Sequence, residues 1–187
     1  REATFSRPRS RTDSTVTMRT CEICNCGDGV KVVRSVVTLD NCYVHDNVSN
    51  GILTQTTGVT CTQCTISSNS SSGIYTNGSS VSSTTVSLTR CLFTNNGPDN
   101  VFVRLATLNL DGGRFEGGTT SGVSIDSAVL THVNSPVITN NAVGLMITQS
   151  NAAQAAQLLE ISDLTLTGTI SGASQLWLST GTIILTG

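Results

Sequence analysis

The sequence is poor in charge and poorer still in aromatic rings: of 187 residues, 12% are charged and 4% are Phe, Trp or Tyr. The formal net charge is −2, so the body of the protein lacks the basic surface that nucleic-acid binding requires. No apolar run approaches the roughly 20 residues of a membrane-spanning helix, and no membrane insertion is expected. With so few rings and ion pairs available, a fold must be built from aliphatic side chains and from Ser, Thr, Asn and Gly, the residues of short strands and tight corners.

What the sequence does contain is a repeat. The segments VTMRTCEIC, VTLDNCYVH, VTCTQCTIS and VSLTRCLFT align on Cys21, Cys42, Cys64 and Cys91, and Gly113, Pro136 and Leu164 continue that column. Spacings of roughly 20 to 30 residues with strand-type alternation imply a solenoid. Two places downstream stand Ile23, Val44, Ile66, Phe93, Phe115, Ile138 and Leu166. Three places upstream stand Met18, Leu39, Cys61, Leu88, Leu110, Val133 and Ile161. Five places upstream stand Val16, Val37, Val59, Val86, Leu108, Thr131 and Leu159. Small polar residues separate these columns, so each strand buries one face. A third strand follows in each coil, with inward pairs such as Val30 with Val32, Ile52 with Thr54 and Val123 with Ile125.

Three short strands per coil predict a prism of three parallel sheets, with like residues stacked about 4.8 Å apart. Its crossovers are right-handed by the general rule for parallel strands. Five places after the cysteine column come Asn47, Asn69, Asn96 and Asn141, with Cys26 and Gly118 in the gaps. An asparagine column at a corner predicts an amide ladder, each side chain bonded to the next coil and tolerant of left-handed backbone.

On these columns the chain resembles the pectin-lyase-like superfamily of right-handed parallel β-helices. The expected fold is all-β, a single-stranded right-handed parallel β-helix of about seven coils with three short strands each. It spans residues 16–187, after a basic arm over residues 1–15. Arg1, Arg7, Arg9, Arg11 and Arg19 supply half of the ten basic residues, and Arg7, Arg9 and Arg11 form an arm suited to an anionic partner.

The seven cysteines include two CxxC pairs, Cys21 with Cys24 and Cys61 with Cys64. The register separates the pairs by two coils, about 9.6 Å, too far for one zinc ion. The core-column cysteines read as small hydrophobes, and Cys24 and Cys26, at a corner, as the reactive thiols. No metal site and no cofactor is assigned.

The resemblance implies two function classes. Lyases and epimerases of the superfamily use acidic residues, often with calcium, plus an Arg, Lys, His or Tyr base; its hydrolases use several close carboxylates. The best polar cluster for such chemistry is Asp111, Arg114 and Glu116 in coil five. His45-Asp46 sits at a corner beside Cys24-Asn25 and Ser67-Ser68. The other class is the structural solenoid, as in β-helical spikes and adhesins, which implies an extracellular, cell-surface or virion setting. The outward row of the third strand favours it: Lys31, Leu53, Tyr75, Phe102, Ser124, Met146 and Trp177. An apolar stripe of this kind suits protein contact, and Leu53, Tyr75, Phe102, Met146 and Trp177 are the expected interface. A glycan platform is the other use of such a face. Oligomeric structural or adhesive solenoid is therefore the leading function, with a polysaccharide-active lyase, epimerase or depolymerase as the alternative.

Overall fold

The computed structural model describes residues 3–5, 14–80, 83–148, 158–162, 164–167, 174–178 and 182–186. These residues form strands and corners, without a helix among them. The strands fall into three sheets of eight, seven and eight members, and in each sheet the neighbours come from successive coils. Every pairing is parallel, as in Val37↔Val59 of the first sheet, Val44↔Ile66 of the second and Ile74↔Val101 of the third. Parallel neighbours demand a crossover of a dozen or more residues, and here each crossover is the other two sides of the coil.

The inward columns meet on the axis. Val37, Leu39, Val44, Ile66, Leu88, Phe93, Phe115 and Ile138 are all at most 1% exposed. Like stacks on like: Phe93 lies parallel to Phe115 with ring centroids 5.2 Å apart. In the third sheet Thr54 and Thr76 are buried on the axis, and Thr54 Oγ1 donates to Thr76 Oγ1 at 3.0 Å, so two hydroxyls inside an apolar core satisfy each other.

One column shifts. Leu108 pairs with Leu130, and the register slips between Leu108 and Asn109. The expected inward residue Thr131 is thus replaced by Leu130, which is 5% exposed. A bulge absorbs one extra residue and lets the leucine take the apolar place. A second addition lies at the start: Ala3–Phe5 pairs with Val30–Val32 and extends the third sheet by a strand outside the repeat columns.

Left-handed backbone recurs at all three corners. Thr20, Asn41, Gln63, Arg90 and Ser135 turn the first, Asn25, Asp46, Ser68, Asn95 and Asn140 the second, Arg34, Thr56, Leu105 and Ser127 the third. At the second corner this residue precedes the asparagine column by one place. The column carries the expected hydrogen bonds, while the left-handed backbone falls on the residue before it.

The amide ladder runs in one direction. Asn47 Nδ2 donates to Asn69 Oδ1 and Asn69 Nδ2 to Asn96 Oδ1, each at 2.8 Å. Their backbone N–H groups are bonded too, since Asn47 N donates to Asn69 Oδ1 at 3.2 Å. A glycine stands beside each rung: a Cβ at Gly51 would lie 2.8 Å from Asn69 Nδ2, and one at Gly73 would lie 2.9 Å from Asn96 Nδ2. In coil five, where Gly118 leaves the ladder column empty, Asn100 fills the vacancy from the glycine column of the coil before. It accepts from Asn96 Nδ2 at 2.9 Å and donates to Asn141 Oδ1 at 3.1 Å.

The cysteine column sits at the first corner. Each Sγ donates to the carbonyl two residues earlier: Cys21 to Arg19, Cys42 to Asp40, Cys64 to Thr62 and Cys91 to Thr89, at 3.2 to 3.5 Å. A thiol is small and apolar enough for the core yet offers a weak donor to the turn. Burial pushes the Cys42 thiol up, which favours its protonated form.

Candidate functional site

The second sheet holds two polar groupings on its outer face, one in coil five and one across the first two coils. Alternation along Arg114–Glu116 puts Arg114 and Glu116 on the same side, and Arg114 Nη2 pairs with Glu116 Oε2 at 2.7 Å. Asp111 turns elsewhere and accepts from Asn134 Nδ2 at 2.7 Å. The three candidate residues do not converge. Arg114 and Glu116 neutralise each other, and Asp111 is held by the Asn134 amide.

The other grouping is denser. Glu22 and Cys24 face outward from one strand, Tyr43 and His45 from the next, in the register Glu22↔Tyr43 and Cys24↔His45. His45 Nε2 lies 3.0 Å from Glu22 Oε1, and His45 Nδ1 lies 2.7 Å from Asp46 Oδ2. The Tyr43 ring stacks on the imidazole with centroids 3.8 Å apart, and Tyr43 Oη accepts from Ser67 Oγ at 3.3 Å. Corner backbone positions the remaining groups. Asp46 and Asn25 both have left-handed φ, near 52° and 56°, which swings each side chain back onto the residue before it. Asp46 thus reaches Nδ1, and Asn25 Nδ2 donates to Cys24 Sγ at 3.3 Å.

His45 is only 9% exposed. Burial pulls its basicity down, but hydrogen bonds to Asp46 and then Glu22 more than offset this and hold His45 above its ordinary value. Carboxylates only accept, so in this arrangement both ring nitrogens carry protons. A donor from each of Glu22, Cys24 and His45 lies within 4.8 Å of the other two, near enough for side-chain adjustment to gather them around one metal ion. The sequence signal for this grouping was the neighbouring corners Cys24-Asn25 and His45-Asp46; Glu22 had no mark of its own. Of the two corner thiols expected to be reactive, Cys26 is buried and donates to Cys24 O, so Cys24 is the accessible one.

The third sheet carries the apolar row. Its register is continuous: Lys31↔Leu53, Leu53↔Tyr75, Tyr75↔Phe102, Phe102↔Ser124, Ser124↔Met146 and Met146↔Trp177. Tyr75 and Phe102 stack with centroids 4.9 Å apart and planes 11° from parallel. Stacking half-buries Leu53, Tyr75, Phe102 and Met146, while Trp177 remains 53% exposed. Ser124 is fully buried in the row, and its Oγ has no hydrogen-bond partner. The arginines of the basic arm, Arg7, Arg9 and Arg11, lie outside the described residues.

The model of the family described as "Right handed beta helix region" matches residues 10–157. No curated protein and no solved structure matches the chain.

Proposed function

The chain belongs to the right-handed β-helix family, and from that premise we propose that it is a structural and adhesive solenoid that associates with a second copy of itself through the third sheet. The observation that carries this reading is the outward row Leu53, Tyr75, Phe102, Met146 and Trp177, in continuous register, interrupted by the buried Ser124 and bounded by Lys31 at one end. Side chains ordered by stacking lose little further entropy on docking, and aromatic and Met side chains are those enriched at the centre of protein interfaces. The assembled solenoid presents a rigid surface to glycans or partner subunits. Its setting is outside the cell, at a cell surface or on a virion, and the basic arm contacts an anionic partner there. Against the alternative of a polysaccharide-active enzyme stands the pairing of Arg114 with Glu116 and of Asp111 with Asn134.

Solution mass by light scattering tests the proposal. The chain is expected to run as an oligomer that Phe102→Ser dissociates into folded monomers. Monomers in both cases overturn it, as does an oligomer that the substitution leaves intact.

A further inference from the structure

We propose that Glu22, Cys24 and His45 form a zinc site on the outer face of the second sheet, with Asp46 as the carboxylate that orients the histidine. Sulfur, imidazole nitrogen and carboxylate oxygen are the three donor types that zinc takes, and this mixed set disfavours calcium and magnesium, which take oxygen alone. The donors come from strands paired in register, so backbone hydrogen bonds hold them in place before any ion arrives. One donor atom of each lies within 4.8 Å of the other two, and small side-chain rotations bring such a set to the roughly 3.3 to 3.8 Å that separates tetrahedral zinc ligands.

The second observation is independent of the ligands. Metal-bound histidines commonly donate their other ring N–H to a carboxylate, which fixes the tautomer and turns the free lone pair toward the ion. Asp46 Oδ2 stands 2.7 Å from Nδ1 and so directs Nε2 toward Glu22, 3.0 Å away. Tyr43 stacked on the ring prevents it from swinging out. Asn25 Nδ2 donates to Cys24 Sγ at 3.3 Å, a contact that orients the sulfur.

The balance of binding is simple. Without metal, the proton on Nε2 fills the gap between His45 and Glu22. The ion replaces that proton and the one on Cys24 Sγ, and two protons leave to solvent. The Glu22 side chain is 66% exposed, so a fourth position faces water. A cysteine nucleophile activated by His45 is the competing use of these residues. It fails because both ring nitrogens are engaged by carboxylates and neither is free to take the thiol proton.

Cobalt is the probe, because thiolate bound to Co²⁺ gives a charge-transfer band in the near ultraviolet. Titration of the reduced full chain with Co²⁺ under anaerobic conditions is expected to give this band, saturating at one equivalent and abolished by Zn²⁺. Cys24→Ser should remove it while far-ultraviolet circular dichroism and the melting midpoint hold. Glu22→Gln, at an exposed position, should weaken binding without loss of fold, and serves if Cys24→Ser misfolds. Asp46→Asn should keep the band and lower affinity by roughly 10- to 100-fold. A band that survives Cys24→Ser would place the ion on other thiols and overturn the site. So would the absence of a saturable band, or affinity unmoved by both Glu22→Gln and Asp46→Asn.

Discussion

Two regions of one sheet face differ in a way that explains what a solenoid can build. In coil five, Arg114 and Glu116 are neighbours along a single strand, and they cancel each other. In coils one and two, Glu22 and Cys24 meet His45 across the stack, with one donor atom of each within 4.8 Å of the others, and Asp46 holds the far ring nitrogen. The first pair is close because it is close in sequence. The second group is close because one complete turn of the coil brings residues more than twenty positions apart to strand spacing, about 4.8 Å. A strand of three residues offers only two outward side chains, so a site with three or more groups must draw on adjacent coils. The functional unit in this fold is therefore read down the stack.

The sharpest way to break the comparison is to destroy the stack itself. Ile66→Asp buries an unpaired carboxylate in the second sheet, between Val44 and Phe93. The cost of several kcal/mol rivals a whole domain's stability of roughly 5–15 kcal/mol, so the variant should fail to fold cooperatively, which circular dichroism in a thermal scan would reveal. A smaller break concerns the corner that keeps coils in step. Asn69→Ala deprives Asn47 of its acceptor and Val44 O of its donor, and should lower stability by about 3 kcal/mol, read as a reduced denaturant midpoint. The smallest effect belongs to coil five. Arg114→Ala breaks an exposed pair and should change stability by less than about 1 kcal/mol, with cobalt binding at coils one and two unaltered. A large loss from Arg114→Ala would mean that the two regions are coupled.

Much of the architecture was legible because a solenoid repeats its physics. Period-two alternation placed Val37, Leu39, Val44 and Ile66 on the axis, and the asparagine column placed the corner, since both are short-range rules applied seven times. The exceptions arose where one coil departs from its neighbours. Thr131 kept its place by counting, but a leucine beside it had more to gain from burial, and a bulge granted the shift. The apolar row of the third sheet was legible for the same reason as the core, as its residues follow strict alternation. The converging group was not. His45 and Cys24 could be seen at adjoining corners, yet the reach of Asp46 onto Nδ1 depends on a left-handed backbone angle one residue away from where the asparagines suggested it. For Asp111, Arg114 and Glu116, nearness in sequence said nothing about which partner each side chain takes: Arg114 and Glu116 pair with each other, Asp111 with Asn134.

The complementarity of Asn100 and Gly118 constrains both positions. The amide that coil five lacks is lent by its neighbour, and each change now protects the other. Asparagine restored at 118 has no room, because a Cβ there would stand 2.3 Å from Ser121 O. Glycine at 100 would remove one of two bonds from each neighbour, leaving Asn96 Nδ2 with Ile66 O alone and Asn141 Oδ1 with Gly118 N alone. Each substitution alone costs a clash or a hydrogen bond, so the two positions are coupled through the ladder. A column of the repeat can thus be broken in sequence while the ladder it builds stays continuous in space.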